Sequence, residues 1–204
     1  MPEAELGIGV LASGGGSNFE SLARACRDAR IPGAAVRLLI VNKAGVGALD
    51  RAARLGIEAM VLSPKDFATR EVYFERIARE LESRGVRLVC LAGFLLKVEP
   101  LLVHRFPGRM VNIHPALLPK YGGRGMFGHH VHEAVLNAGD AESGCTVHGV
   151  DEEFDHGPVL AQARVPVLPG DTAETLAARV LKEEHRIYPE AVRDLVLRLK
   201  KEIA

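Results

Sequence analysis

The sequence predicts an α/β fold, a doubly wound and mostly parallel sheet whose N-terminal half is Rossmann-like. Two observations lead to this prediction. Short apolar runs alternate with longer segments of helical spacing, which is the element order of consecutive βαβ units. The short runs are apolar at nearly every position, as expected for strands that helices cover on both faces. Because crossover connections join parallel strands, this order favours a parallel sheet.

The first half of the chain is predicted to alternate strands with helices. Aliphatic and β-branched runs predict strands at residues 7–12, 36–42, 59–62 and 88–92. Helical spacing predicts helices at residues 19–29, 48–55 and 71–84. In the last of these, Tyr73, Ile77 and Leu81 recur every four residues, which places them on one face that can pack against the sheet.

The second half begins with a predicted fifth strand at residues 110–113. Residues 114–128, dense in glycine and proline, follow as a long loop of the kind that often carries function. A short helix is predicted around residues 132–137. Residues 146–150 and 159–167 are predicted as neighbouring strands, and the sequence leaves open whether these late strands are antiparallel. The chain closes with a helix from Thr172 to about Lys200, which Pro189 is expected to interrupt because proline lacks a backbone N–H.

Length and charge limit the classes of function. With 204 residues, 48% of them hydrophobic, the chain can bury one sizeable core, and we expect a single domain over residues 1–204. Lys plus Arg and Asp plus Glu number 26 each, so no net charge draws the protein to a nucleic-acid backbone or an anionic membrane. Any anionic ligand must therefore be held locally. The composition does not distinguish a monomer from a homodimer.

The cysteines and the N-terminus predict a cytoplasmic location. Cys26, Cys90 and Cys145 are far apart, odd in number and without a CxxC pair, which argues against a disulfide framework and against a zinc site. The segment from Met1 to Leu6 carries two glutamates and no basic region before a long apolar run, so we expect no signal peptide. No stretch approaches the roughly 20 apolar residues of a membrane span.

Three consecutive glycines, between Ser13 and Ser17, follow the first predicted strand and lead into the first helix. Successive backbone N–H groups and the helix N-terminus can bind a phosphate there without net positive charge. A turn that only lets strand and helix pack closely explains an isolated match equally well. A dinucleotide site is disfavoured, because Phe19 stands at the third glycine position and Asn42, not an acid, ends the second strand. A Walker loop is disfavoured, since no Gly-Lys-Ser/Thr follows.

Asn112, His114 and Asp155 are the candidate catalytic residues. Asn112 and His114 lie at the end of a predicted central strand, where ligands bind in open parallel sheets, and a spacing of two points them to one side. An amide and a protonated imidazole can donate to the oxyanion that forms in acyl transfer to an amine. Asp155, in a turn between the two late strands, could orient His114 and raise its pKa. Taken singly, each residue is more often structural, as a strand-end hydrogen-bonding group or a turn cap.

With these residues in place, the chain resembles the glycinamide ribonucleotide formyltransferases, a family of folate-dependent enzymes of purine synthesis. The similarity runs nearly end to end, and it rests on short motifs whose order and spacing are highly specific. They are SGGGSN (13–18), NKA (42–44), LAGF (91–94), NIHPALLPK (112–120), GCTVH (144–148), DHGP (155–158) and EHRIYP (184–189).

The resemblance implies the formyltransferase fold and transfer of formyl from 10-formyltetrahydrofolate to the amine of 5′-phosphoribosylglycinamide. It matches Asn112, His114 and Asp155 to the family's catalytic residues, and it requires no metal. It also implies two binding regions by residue-for-residue match: substrate binding by Gly16, Ser17, Asn18 and Glu184, and folate binding by Arg70, Leu95, Leu96, Lys97, Val98 and Asn112.

One segment departs from the commoner pattern of the family. Residues 122–128, GGRGMFG, replace the shorter Pro and Gly loop that often follows the LLP motif, so the sequence does not define this loop's conformation or role. The histidines just beyond it, His129, His130 and His132, lack a clear fourth ligand for a metal. They are interpreted as mostly solvated or capping.

Three other functions remain to be weighed. A methionyl-tRNA formyltransferase would need an RNA-binding C-terminal domain and a basic surface, whereas this sequence ends after one predicted domain with zero net charge. A formyltetrahydrofolate deformylase would typically add an N-terminal regulatory domain, whereas the first strand is predicted to start by residue 7. A noncatalytic nucleotide- or folate-binding module could share the fold. The intact set of Asn112, His114 and Asp155 argues against such a module.

Overall fold

The strands of the chain form one seven-stranded mixed sheet, in a computed structural model that describes residues 5–203. Most of the segment on which the signal-peptide expectation rests lies outside the described residues. The first five strands are mutually parallel, and the last two are antiparallel to their neighbours. In chain order they are Leu6–Ala12 (β1), Ala34–Val41 (β2), Ala59–Val61 (β3), Val86–Leu91 (β4), Met110–His114 (β5), Glu142–Gly149 (β6) and Val159–Pro166 (β7).

Helices connect these strands and cover both faces of the sheet, which confirms the predicted fold class. They are Ser17–Arg27 (α1), Gly47–Leu55 (α2), Arg70–Ser83 (α3), Pro100–Arg105 (α4), His129–Ala138 (α5) and Ala173–Ile203 (α6). The sequence did not predict α4, because six residues are too few to show a helical period. α5 begins three residues before its predicted start. The observed ends of the strands and of the first three helices differ from the predicted ends by no more than a few residues.

The strand order, β3-β2-β1-β4-β5-β6-β7, reverses direction between β1 and β4. In a parallel sheet this reversal opens a crevice beyond the carboxyl ends of the two strands, since their connections leave toward opposite sides. The glycine segment leaves β1 at this edge, and Gly93 follows β4 there. The topology therefore brings three predicted site segments, after β1, β4 and β5, to one edge of the sheet.

The apolar strands bury side chains on both faces. Ile8 and Val10 on β1 pack in a core with residues of α1, α2, α5 and α6, whereas Leu11 packs in a second core with α3 and α4. Tyr73, Ile77 and Leu81 of α3 are fully buried in that second core, as their spacing predicts. Burial on both faces explains why the strands are apolar at consecutive positions rather than at alternate ones.

The expected interruption of the last helix at Pro189 is wrong, because α6 continues through the proline to Ile203. The prolyl nitrogen cannot donate to the carbonyl of His185, four residues earlier. The hydroxyl of Ser21 on α1 donates to that carbonyl instead, at 3.1 Å. Packing of α6 on α1 therefore satisfies the group that Pro189 leaves unpaired, and the helix needs no break.

Ser21→Ala is expected to lower the free energy of unfolding by about 1 kcal/mol, since it leaves the His185 carbonyl without a donor. Pro189→Ala restores a backbone N–H at the position that can bond the same carbonyl. In the Pro189→Ala background, Ser21→Ala should therefore lower the free energy of unfolding by measurably less. Urea unfolding of wild type, the two single variants and the double variant, in a double-mutant cycle, measures this difference. Equal costs in both backgrounds would contradict this explanation.

Candidate active site

A cleft of about 1070 Å³ opens at the carboxyl ends of the central strands. One wall is the segment after β4, the floor is the end of β5, and the opposite wall is built from α5 and α6. Residues 123–128 border it as well. A concave, partly apolar cleft with a few converging polar groups is the usual form of a small-molecule site.

The end of β5 places Asn112 and His114 on the cleft floor, two residues apart on one face of the strand as predicted. Pairing with β6 sets their neighbours, because Asn112 lies opposite His148 and His114 opposite Thr146. The Asn112 amide nitrogen lies 3.0 Å from Nε2 of His148, and it also donates to Oδ1 of Asp155 at 3.4 Å. The contact with Asp155 is long, so a ligand can more readily accept a hydrogen bond from that N–H of Asn112 than from the one that faces His148.

Asp155 joins this group from the turn between β6 and β7. Its backbone is left-handed, with φ of 52°, and its carboxylate accepts from the N–H of Gly123 at 2.9 Å. The same carboxylate lies 3.6 Å from Nδ1 of His114 and 3.5 Å from Nε2 of His148. Burial opposes its ionisation, but the hydrogen bond with His148 and the charge of His114 outweigh burial and hold the pKa of Asp155 below its ordinary value.

His114 is almost fully buried, and both of its ring nitrogens face oxygen atoms. Nε2 lies 2.8 Å from the carbonyl oxygen of Tyr121, and Nδ1 faces Asp155. Asp155 raises the pKa of His114, as expected, but it does not decide the net direction of the shift. Burial lowers the pKa of His114 below 6.5, and the opposing effects of Asp155 and of the Tyr121 carbonyl are smaller. In the free protein, burial therefore disfavours the charged form of His114.

The glycine segment ends at Gly16, whose φ of 77° is left-handed and whose missing Cβ would lie 2.6 Å from that of Ala48. No larger residue fits this position. Ser17 and Asn18 begin α1, so their N–H groups have no partner within the helix. Of the three predicted residues only Asn18 borders the cleft, while Gly16 and Ser17 lie beside it.

Glu184 of α6 meets Asn18 across the cleft wall. The Asn18 amide donates to the Glu184 carboxylate at 2.5 Å, and Oδ1 of Asn18 is buried without a partner among residues 5–203. Burial raises the pKa of Glu184, and the hydrogen bond from Asn18 only partly offsets this. A buried carboxyl of this kind, held by one amide at the border of a cleft, is suited to binding a polar ligand.

The predicted folate segment forms the wall after β4. Leu95, Leu96 and Lys97 border the cleft, whereas Val98 is buried in the core below them. Arg70 borders the cleft too, and it donates to the Lys97 carbonyl at 2.6 Å while its Nε bonds Glu99 at the same distance. Arg70 therefore fixes the backbone of this wall from the adjacent helix.

The sequence interpretation missed residues that tertiary packing brings to the site. His148, buried between Asn112 and Asp155, was part of the GCTVH motif, and the pairing of β6 with β5 is the signal that would have identified it. Thr146 bonds the carbonyl of Ala116 and the N–H of Leu118, which anchors the loop after His114. Other cleft residues outside the predicted site include Arg124, Met126, Phe127, Phe154, Glu174, Ala177, Ala178 and Leu181.

The three histidines of α5 differ in their environment. His129 and His130 are exposed and pair with Glu133, in keeping with the interpretation as solvated groups. His132 contradicts it, because only 4% of its surface is exposed and it borders the cleft. Across residues 5–203, no cluster of three or more His, Cys, Asp or Glu side chains is arranged to hold a metal ion. None of the helices in that range combines the length and apolar character of a membrane span.

The chain is similar to known proteins over most of its length. A family model described as formyl transferase matches residues 7–192. The trifunctional purine biosynthetic protein adenosine-3 of Drosophila melanogaster is 48% identical over 93% of this chain, which spans only 14% of that longer protein. The phosphoribosylglycinamide formyltransferase of Escherichia coli K12 is 42% identical, over 90% of this chain and 84% of the relative.

Solved structures give the same result. Glycinamide ribonucleotide transformylase 1 from Symbiobacterium toebii superposes with a TM-score of 0.89 at 41% identity, covering 94% of this chain and 88% of that structure. The sequence resemblance is therefore confirmed. The chain therefore belongs to the formyl transferase family, in its phosphoribosylglycinamide formyltransferase group.

Proposed function

We propose that this chain transfers the formyl group of 10-formyltetrahydrofolate to the amine of 5′-phosphoribosylglycinamide, giving the N-formyl product and tetrahydrofolate in de novo purine biosynthesis. The observation that carries the proposal is the meeting of Asn112, His114 and Asp155 on the floor of a cleft that Glu184 also borders. Membership of the family supports the same reaction. We place the reaction in the cytoplasm, where the three free cysteines would stay reduced.

The amine substrate fits the side of the cleft nearest α1 and α6. Free N–H groups at the start of α1 suit its phosphate. The buried Oδ1 of Asn18, unpartnered among the described residues, and the carboxyl of Glu184 suit hydroxyl and amine donors. A bound phosphorylated amine would supply hydrogen-bond partners to these groups. Without a ligand, burying polar groups that lack partners costs free energy.

The folate fits the opposite wall. Leu95 and Leu96 supply apolar surface for a flat ring, and the backbone of residues 93–97 supplies donors and acceptors. Arg70 braces this wall at the mouth of the cleft and offers a charge to an anionic tail. When bound, 10-formyltetrahydrofolate supplies an activated formyl group.

Asn112 and His114 are assigned as donors to the formyl oxygen as negative charge develops on it. In the free protein the Tyr121 carbonyl accepts from Nε2 of His114, so the formyl oxygen would replace that carbonyl as the acceptor. The developing charge, together with Asp155, opposes the effect of burial on the pKa of His114 and favours the imidazolium at this stage. Asp155 orients the ring. As the amine nitrogen bonds to the formyl carbon, the bond from that carbon to the folate nitrogen would break, and the proton that the amine loses would pass through water to the departing folate nitrogen.

A direct assay tests the proposal. Purified protein is mixed with 10-formyltetrahydrofolate and phosphoribosylglycinamide, tetrahydrofolate formation is followed by absorbance, and the N-formyl product is identified by mass spectrometry. We expect turnover only when both substrates are present. Tight binding of both without turnover would indicate a noncatalytic module, and formate release without the amine would indicate a deformylase.

A further inference from the structure

The imidazole of His132 occupies an unusual position on the α5 side of the cleft. It is 96% buried, and the other buried residues of the same helix, Val131 and Val135, are apolar. Nδ1 is buried and has no hydrogen-bond partner within residues 5–203. A leucine would fill such a position without burying a polar atom, so packing alone does not account for a histidine here.

The other ring nitrogen, Nε2, is not among the buried atoms that lack a partner, and His132 borders the cleft, so Nε2 is the nitrogen available to a ligand there. Burial, with smaller effects from His129 and His114, lowers the pKa of His132 to about 4, so the ring is neutral at physiological pH. A neutral imidazole carries one N–H. Since Nδ1 reaches no acceptor, that proton is more stable on Nε2, where a ligand can accept it.

The neighbours of His132 indicate which ligand it meets. It stands on the wall formed by α5 and α6, together with Ala177, Leu181 and Glu184. Glu184 is bonded to Asn18 at the start of α1, the region suited to the phosphate. The wall suited to the folate, formed by residues 93–97, is contributed by a different part of the chain. The oxygen-rich phosphoribosyl group is therefore the ligand portion expected along the His132 wall.

We propose that His132 determines specificity for the amine substrate, by donating a hydrogen bond from Nε2 to an oxygen of its phosphoribosyl portion. This inference rests on the proposed function. It assigns a role to a residue outside the Asn112, His114 and Asp155 group, and that role involves no proton transfer.

The test compares His132→Phe, which keeps a ring of similar size, with His132→Gln, which restores an N–H near the position of Nε2. In His132→Phe, the KM for phosphoribosylglycinamide is expected to rise about tenfold, equivalent to about 1.4 kcal/mol. The kcat and the KM for 10-formyltetrahydrofolate should change less than about twofold, as for a contact made equally in the ground state and transition state. His132→Gln should recover much of the loss.

His130→Phe is the matched control, because His130 is an exposed histidine of the same helix that does not border the cleft. An unchanged KM for the amine in folded His132→Phe, or a rise confined to the folate, would overturn the proposal. If His132→Phe does not fold, comparing His132→Gln with His132→Asn, whose shorter amide cannot reach the Nε2 position, gives the same discrimination. If wild-type protein shows no turnover, the proposed function fails, and calorimetric binding of phosphoribosylglycinamide to the same variants still tests the contact.

Discussion

His114→Ala is expected to lower kcat by about 10²- to 10³-fold, the usual cost of removing one donor to a developing oxyanion. The imidazole lies on the cleft floor, 3.6 Å from the Asp155 carboxylate, and its contact through Nε2 is with a loop carbonyl rather than with a residue of the core. The loss should therefore fall on kcat more than on folding. Steady-state kinetics, combined with urea unfolding of the same protein, measures both.

His104→Ala is a suitable control for this variant. His104 is exposed, pairs with Glu152 and does not border the cleft, so its removal should leave kcat unchanged. A purified and folded His114→Ala protein with near-normal kcat would rule out the catalytic assignment of His114.

Asp155→Asn is expected to lower kcat by about 10²- to 10⁴-fold, the range typical of general acid–base groups and the residues that orient them. The amide keeps the shape of the carboxyl, and its oxygen can still accept from Gly123. What it removes is the negative charge that raises the pKa of His114 against the effect of burial. Without this charge, less imidazolium forms when negative charge develops on the substrate.

The pH dependence of Asp155→Asn follows from the same charge. If the imidazolium is the active form, kcat falls as pH rises through the pKa of His114 in the complex, and the variant should show this fall at lower pH than wild type. Asp155 itself has a lowered pKa, so its contribution to stability is present above 3.8 and is lost as pH falls through the lowered value. The variant should therefore lose less stability than wild type in that acidic range.

Asp151→Asn is the matched control for the charge, because Asp151 lies in the same turn and bonds the exposed His156 instead of the cleft residues. It should retain wild-type kcat and pH profile. A kcat for Asp155→Asn within a few-fold of wild type would show that the carboxylate does not serve the reaction.

Local sequence signals were reliable where a single physical requirement decides the outcome. At Gly16, only a residue without Cβ fits against Ala48 with a left-handed backbone, which agrees with a turn that permits close packing, while phosphate binding by Gly16 stays a prediction. The spacing of Asn112 and His114 illustrates the same point, because alternation along a strand places both on the cleft floor. The apolar strands required cover on both faces, and helices on both faces supply it.

Predictions that depended on distant residues were less successful. Pro189 does not break α6, because Ser21 on another helix bonds the carbonyl that the proline leaves free. His132 was interpreted as solvated, although the packing of α5 buries it. Val98, in a segment matched to the folate, lies in the core below the cleft surface.

The sequence by itself determined the order of the strands and of the helices other than α4, the identity of the catalytic candidates and the family, because these follow from local periodicity and from short motifs. Only the tertiary structure decided how the groups act on one another. The antiparallel pairing of β6 with β5 brought His148 to Asn112, and the following turn placed Asp155 beside His114. The direction of the pKa shift of His114 depends on the tertiary structure too, since burial by residues distant in the chain outweighs the carboxylate beside it.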